Sequence, residues 1–215
     1  INFKFISFPR KKKHRFGDHR FRAGLARNLG VKQAEGERLA FLDSDVIVGE
    51  DYLQSIVQML ERHPVIQHPR LHLKKGAPTD YRKINSSRHT FVKGNGYWEK
   101  FYASGEGWNE KQLPWKYVST NTLCLNTALF RKAGRFRKNY TCYGFEDTDL
   151  GWKLYQMGQK FYLNNSPTYH LYRQSEFLHF NFVKRWLLSR SANIFFHNTH
   201  SLEAYREFIH LISKK

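Results

Sequence analysis

The stretch from Glu37 to Asp45, ERLAFLDSD, constrains the fold more than any other part of the chain. A short apolar run that ends abruptly in two aspartates reads as a strand delivering carboxylates to its carboxyl end. Helical patterns flank it. Upstream, Phe21, Leu25, Leu29 and Ala34 approximate an apolar stripe over Asp18 to Ala34, with Asp18 as N-cap and Gly36 as the stop. Downstream, Tyr52, Leu53, Ile56, Val57 and Leu60 mark a second amphipathic helix. The opening residues, INFKFISF, alternate loosely and read as a further strand ended at Pro9. Strand, helix, strand, helix predicts an α/β fold with a largely parallel sheet, in which ligands sit beyond the carboxyl ends of strands.

From Pro64 to Trp115 the pattern loosens into His, Gly, Pro and aromatic residues, as in loops and short strands that build a binding face. Gly94, Gly96, Gly105 and Gly107 predict mobility in that stretch, and the segment GEGWNEKQLPW is expected to act as a lid. Helical periodicity returns at Thr127 to Ala133, closed by Gly134, and at Glu146 to Gln156, closed by Gly158. Beyond Phe177, the sets Phe180, Val183, Trp186, Leu187 and Tyr205, Phe208, Ile209, Ile212 predict two more helices. The 215 residues suit one hydrophobic core with no second independent domain.

Lys and Arg outnumber Asp and Glu by 36 to 18, a formal charge of +18 that favours anionic partners without choosing among them. The densest run, Arg10 to Arg15, reads as a solvated loop or a nucleic-acid arm. Two cysteines, Cys124 and Cys142, are too few for a disulfide framework and fit a reducing compartment. With no 18-residue apolar run and no signal-peptide pattern, the expected location is the cytoplasm, with peripheral contact at the inner face of the membrane left open.

Two acidic constellations carry the chemistry. Asp43 and Asp45 offer hard oxygen ligands suited to Mg²⁺ or Mn²⁺, and such an ion can bridge a diphosphate. Aspartates also end strands for purely structural reasons. Glu146, Asp147 and Asp149 open a helix, where the dipole alone accommodates acids. The aromatic, glycine-containing turn ahead of them could equally hold a carboxylate as general base for a sugar hydroxyl.

Together, DSD and GFEDTDLGWKLYQMG, about a hundred residues apart, resemble the GT-A glycosyltransferases of the large inverting family. RAGLARNLGVKQAEGERLAFLDSDVIVGEDYL is similar to the stretch leading into that family's metal-binding DxD, and NTALFRKAGRF to its segment before the acidic helix. The likeness covers roughly Arg22 to Tyr172 and extends to chondroitin-polymerase-type and β-galactosyltransferase-type domains. It implies a GT-A catalytic domain over residues 1–172, with residues 173–215 as a helical extension packed on it. It also implies Mn²⁺ or Mg²⁺ held by Asp45, with Asp43 near the donor's ribose or sugar. Asp147 would take the acceptor proton and Glu146 grip a sugar, with Asp149 on the acceptor side.

In several such enzymes a histidine completes the metal site, and His170 is spaced for that role or for a structural one. Arg22 and Arg27 are candidates for donor phosphate, or for solvated and salt-bridged positions. Trp108 fits a donor-sugar platform and Trp115 an acceptor platform, and core packing suits each as well. The implied partners are a nucleotide-sugar donor, with UDP as the nucleotide, and a glycan or lipid-linked acceptor that the positive charge allows to be anionic.

The chain departs from the resemblance at its start. No segment of the type VSVIIPTYN is present, so the nucleotide-binding first strand is expected to be missing and the domain incomplete at its N-terminal side. Two rival readings follow, an inactive glycosyltransferase-like scaffold and a polyanion- or nucleic-acid-binding module. The second leaves DSD and FEDTDL unexplained, because clustered acids repel a phosphate backbone.

Overall fold

Gly36 releases the chain from its first helix into a short strand, and from there the architecture follows the α/β pattern. The computed structural model describes residues 4–7, 23–86, 108–110, 113–164, 166–171, 181–202 and 205–206. These fall into two compact units, one of Ile1–Glu35, Gly134–Leu150 and Glu176–Lys215, the other of Gly36–Ala133 and Gly151–Ser175.

The second unit holds the sheets. Strands β1 (Arg38–Ala40), β3 (Val65–Gln67), β5 (Leu123–Asn126) and β6 (Phe161–Leu163) form one sheet in the order β1-β5-β3-β6. Strands β2 (Val46–Ile47), β4 (Arg70–His72) and β7 (Thr168–His170) form another, ordered β2-β7-β4. Both sheets are mixed. β5 runs antiparallel to β1 and to β3, while β3 and β6 are parallel; β7 is antiparallel to β2 and parallel to β4. The expectation of a largely parallel sheet therefore gives way, among the described strands, to mixed pairing. Alternating strands and helices count the elements but do not fix which way a later strand such as β5 enters between earlier ones.

Helix α2 (Tyr52–Leu60) follows the predicted stripe, burying Tyr52, Ile56 and Leu60 against Ile66 and Cys124. Leu53 and Val57 stay exposed. β3 is buried on all three residues, so its one polar side chain must be satisfied internally. Gln67 Nε2 donates to the Tyr117 carbonyl at 3.3 Å and its Oε1 accepts from the Ser119 amide at 2.7 Å. A short helix α3 (Tyr81–Ser86) contributes Ile84 to a second cluster with Leu73 and Tyr169. Helix α4 (Thr127–Lys132) follows β5 and ends at Ala133, with Gly134 in the left-handed region, as its sequence predicts.

In the first unit, α1 (Ala23–Gln33) starts inside the predicted stripe; Asp18 and Arg22 lie outside the described residues. Helix α5 (Glu146–Gln156) has the predicted bounds, its first residues in this unit and Gly151 onward in the other. A Cβ on Gly151 would press into the Trp115 carbonyl, so only glycine lets α5 pass there. Helix α6 (Asn181–Thr199) carries Val183, Trp186 and Leu187 of the first predicted set, while Phe208, Ile209 and Ile212 of the second lie outside the described residues. Its Phe195 and Ala192 are buried, while Trp186 is half exposed beneath the Arg190 guanidinium. No helix among the described residues is long and apolar enough to cross a membrane. Residues 4–7 are irregular, with Phe5 83% exposed, so the opening strand is not formed there. Without a partner strand among the described residues, alternation alone makes no ladder.

Candidate functional site

The DSD turn is built by backbone hydrogen bonds. Phe41 N donates to Leu123 O at 2.8 Å, which carries the end of β1 along β5, and Val46 N donates to Asp43 O at 3.1 Å, which closes the turn around Ser44. Leu171 N donates to Asp45 O at 2.9 Å, and Val46 pairs with His170 across β2 and β7. Strand pairing thus brings together two residues 125 positions apart: His170 Nε2 lies 3.2 Å from Asp45 Oδ2, with both side chains mostly buried. The structure joins these two predicted ligands, and Asp43, partly buried, opens the same turn.

The tautomer of His170 follows from its other nitrogen. Nδ1 lies 2.9 Å from the Leu171 carbonyl, which can only accept, so Nδ1 carries hydrogen. Nε2 then faces a carboxylate oxygen at a distance that either a proton or a cation bridges. Ligands about 2.1 Å from an octahedral ion stand about 3 Å apart at adjacent positions, so the pair fits two corners of a divalent site. Orientation of a ligating imidazole by a backbone carbonyl is the usual supporting contact. No group of three or more His, Cys, Asp or Glu residues converges among the described residues, so any further ligands would come from elsewhere, including a bound diphosphate.

The second acidic constellation sits in the first unit. Gly144 and Phe145 both adopt positive φ, +94° and +70°, so the turn into α5 is tightly bent immediately before Glu146. A non-glycine residue in that region costs of order 1 kcal/mol or more, which packing repays: the Phe145 ring lies 6.1 Å from Phe195, and Ser191 Oγ donates to Tyr143 O at 3.0 Å. Glu146 is 8% exposed at its side chain and Asp147 24%. Arg27 Nη1 stands 3.7 Å from a carboxylate oxygen of each. The arginine considered for donor phosphate is therefore set against the acid pair.

Asp149, expected on the acceptor side, is fully buried. Arg137 Nε donates to both its oxygens at 3.1 Å, Tyr140 Oη donates to Oδ1 at 3.2 Å, and Asn198 Nδ2 donates to Tyr140 Oη at 3.2 Å. This clasp ties α5 to the loop before it and to α6. Burial, reinforced by the Asp149 charge, pushes the Tyr140 phenol well above its ordinary range. Sequence reading missed Arg137, Tyr140 and Asn198; the only signal was that Asp149 lies three residues past Glu146, on the face that α5 turns inward.

The two predicted sugar platforms pack instead. Trp108 is 5% exposed, stacks on Phe161 at 5.4 Å and donates its indole N–H to Pro114 O at 2.7 Å. Trp115, 1% exposed, meets Trp152 edge to face at 5.2 Å. Neither presents an open ring, because each large apolar surface is worth more to the core than to solvent. Gly94, Gly96, Gly105 and Gly107, and residues 106, 111 and 112 of the segment expected to act as a lid, lie outside the described residues.

Comparison with known proteins places the fold. The family model described as Glycosyl transferase family 2 matches residues 3–133. Among curated proteins, the chain is 28% identical over 155 residues to validoxylamine A glucosyltransferase of Streptomyces hygroscopicus subsp. jinggangensis, covering 64% of the chain and 36% of that protein. The same-named protein of S. hygroscopicus subsp. limoneus matches at 28% with 34% of its length covered. The chain thus spans about a third of the length of these relatives. Among solved structures, S. aureus TarS 1–349 in complex with UDP-GlcNAc superposes with a TM-score of 0.54 at 18% identity, over 86% of this chain and 51% of that one. GalNAc-T7 with UDP, GalNAc and Mn²⁺ gives 0.50 at 16% identity, over 71% and 31%. These likenesses show the expected GT-A α/β fold.

Proposed function

The chain belongs to glycosyl transferase family 2, and from that membership we propose that it moves a sugar from a nucleoside diphosphate donor to an acceptor hydroxyl, inverting the anomeric centre in one displacement. The observation that carries the reading is the Asp45–His170 pair, a carboxylate oxygen and an imidazole nitrogen 3.2 Å apart, the spacing of adjacent ligands on a divalent cation. UDP is the nucleotide adopted, since it accompanies both TarS and GalNAc-T7 in their structures.

In the sheet-bearing unit, Asp45 and His170 would hold the metal and Asp43 would engage the donor's ribose or sugar. When bound there, Mn²⁺ or Mg²⁺ supplies Lewis-acid stabilisation of the charge that develops on the departing diphosphate. In the other unit, Asp147, the more exposed of the acid pair, accepts the acceptor hydroxyl's proton at its carboxylate. Glu146, more deeply set, grips a sugar hydroxyl, and the Arg27 charge complements both ionised carboxylates.

The test measures UDP-sugar binding and turnover with and without Mn²⁺ for the wild-type chain, Asp45→Ala and Asp147→Asn. Donor binding should depend on metal and be lost in the first variant. The second should keep binding and lose turnover by about 10²–10⁴-fold. Metal-independent binding in the wild type would remove the metal from the scheme, and full turnover in Asp147→Asn would remove the base.

A further inference from the structure

An open cleft of about 860 Å³ lies in the first unit, away from the acid pair. Its one wall is a single face of α1, where Leu25, Leu29 and Lys32 recur at helical spacing; Arg27, which meets Glu146 and Asp147, projects from the opposite side of that helix. The other wall is the loop after Gly134, carrying Arg135, Arg137 and Lys138. Lys32, Arg135 and Lys138 therefore line the cleft beside Arg137, whose charge is matched by Asp149, and among the described residues that line it none is acidic.

The cleft is held rigid. Asn28 Nδ2 donates to Phe136 O at 2.8 Å and its Oδ1 accepts from Phe136 N at 3.1 Å, which locks α1 to the loop. A Cβ on Gly24 would stand 3.0 Å from the Phe136 Cβ, so the two elements are packed to contact. At the rim, Asn139 and Asn198 exchange a 2.9 Å hydrogen bond and present amide groups. Arg137 lines the cleft while its Nε is held by Asp149, so the wall cannot swing away without breaking the clasp on α5.

We propose that this cleft binds an acidic glycan, as the part of the acceptor remote from the hydroxyl that reacts; the acceptor role rests on the transferase reading given above. Cations spaced along a groove match anions repeated along a chain, amide groups match hydroxyls, and Leu25 and Leu29 offer apolar surface to sugar C–H faces. Nucleic acid fits less well. Single strands bind through exposed aromatic platforms, and the one aromatic ring in the lining, Phe136, is 2% exposed. A membrane surface meets projecting residues rather than a concave groove.

The test uses the full chain at low ionic strength with fluorescently labelled polygalacturonate oligomers, phosphodiester-linked polyol oligomers, neutral maltooligosaccharide of matched length, single-stranded DNA and anionic vesicles. Lys32→Glu/Lys138→Glu alters two exposed side chains, and Lys32→Gln/Lys138→Gln tests neutralisation alone. The expected result is binding of at least one acidic oligomer and not of the neutral one, weakened at least tenfold in the Glu variant and less in the Gln variant. UDP binding with Mn²⁺, read on the same samples, should not change. No binding of either acidic oligomer, undiminished binding in the Glu variant, or DNA or vesicles held more tightly through the same lysines would overturn the assignment. If acidic glycan binds while UDP does not, the cleft stands and its acceptor role falls; if UDP binds while acidic glycan does not, the cleft falls and the donor reading stands.

Discussion

The two acidic constellations are both built on carboxylates but are held by different forces. Asp45 and His170 are placed by strand pairing, with main-chain bonds beside each residue. The acids of α5 are placed by side chains: Arg27 against Glu146 and Asp147, and the Arg137, Tyr140 and Asn198 clasp on Asp149. A site set by backbone can lose a side chain and keep its shape. A site set by buried side chains loses fold and function together, which is the contrast that substitution can break.

The largest effect falls on the clasp. Asp149→Ala strands the Tyr140 hydroxyl and the Arg137 head, and should lower unfolding free energy by about 3 kcal/mol, a figure already discounted because Arg137 reaches solvent. Asp149→Asn keeps an oxygen for Tyr140 and should cost about half as much. Denaturant midpoints measure both; an Asp149→Ala chain as stable as wild type would show that the clasp does not hold α5.

The turn ahead of those acids comes next. Gly144 combines a φ of +94° with a Cβ position only 2.8 Å from Leu188 Cδ2. Gly144→Ala should therefore cost about 2 kcal/mol and reduce turnover through the displaced acids, with a neutral result assigning the bend to Phe145 alone. On the other side of the comparison, His170→Ala should leave stability within about 1 kcal/mol while weakening Mn²⁺ at least tenfold, about 1.4 kcal/mol in binding. Calorimetric titration of the two chains with Mn²⁺ decides it, and equal affinities would take His170 out of the metal site.

How much of this was legible follows the same division. The bounds of α2 and α5, and the body of α4 with its Gly134 stop, could be read from apolar periodicity and glycine stops, which are local signals. The pairing of Asp45 with His170 came from the family resemblance, since nothing local links residues that only the β2–β7 register brings together. The role of Asp149 stayed hidden because Tyr140 and Arg137 lie 9 and 12 residues from it, and Asn198, which holds Tyr140, lies 58 residues from that tyrosine. Trp108 and Trp115 show the reverse error: a ring near a binding segment in sequence is still claimed by the nearest apolar packing in space.

The smallest effect sharpens the contrast by comparing two histidines in one unit. His68, like His170, gives its Nδ1 hydrogen to a backbone carbonyl, here Ser166 at 3.1 Å. Its Nε2 is buried with no hydrogen-bonding partner among the described residues, and the ring packs 4.5 Å from Tyr52. Burial lowers its pKa below 6.5, against smaller raising effects of the Ser166 carbonyl and Asp51. The folded chain thus binds this proton less readily than the unfolded chain, so the His68 contribution is complete above the unfolded value of about 6.5 and is lost as pH falls towards the folded one, at up to about 1.4 kcal/mol per unit. Urea midpoints taken from about pH 7.5 to about pH 5 should fall less steeply in His68→Gln, which keeps a donor for Ser166 and has no proton to gain. Parallel slopes in the two chains would mean that the buried ring admits a proton freely, and that main-chain placement alone does not insulate a histidine in this unit.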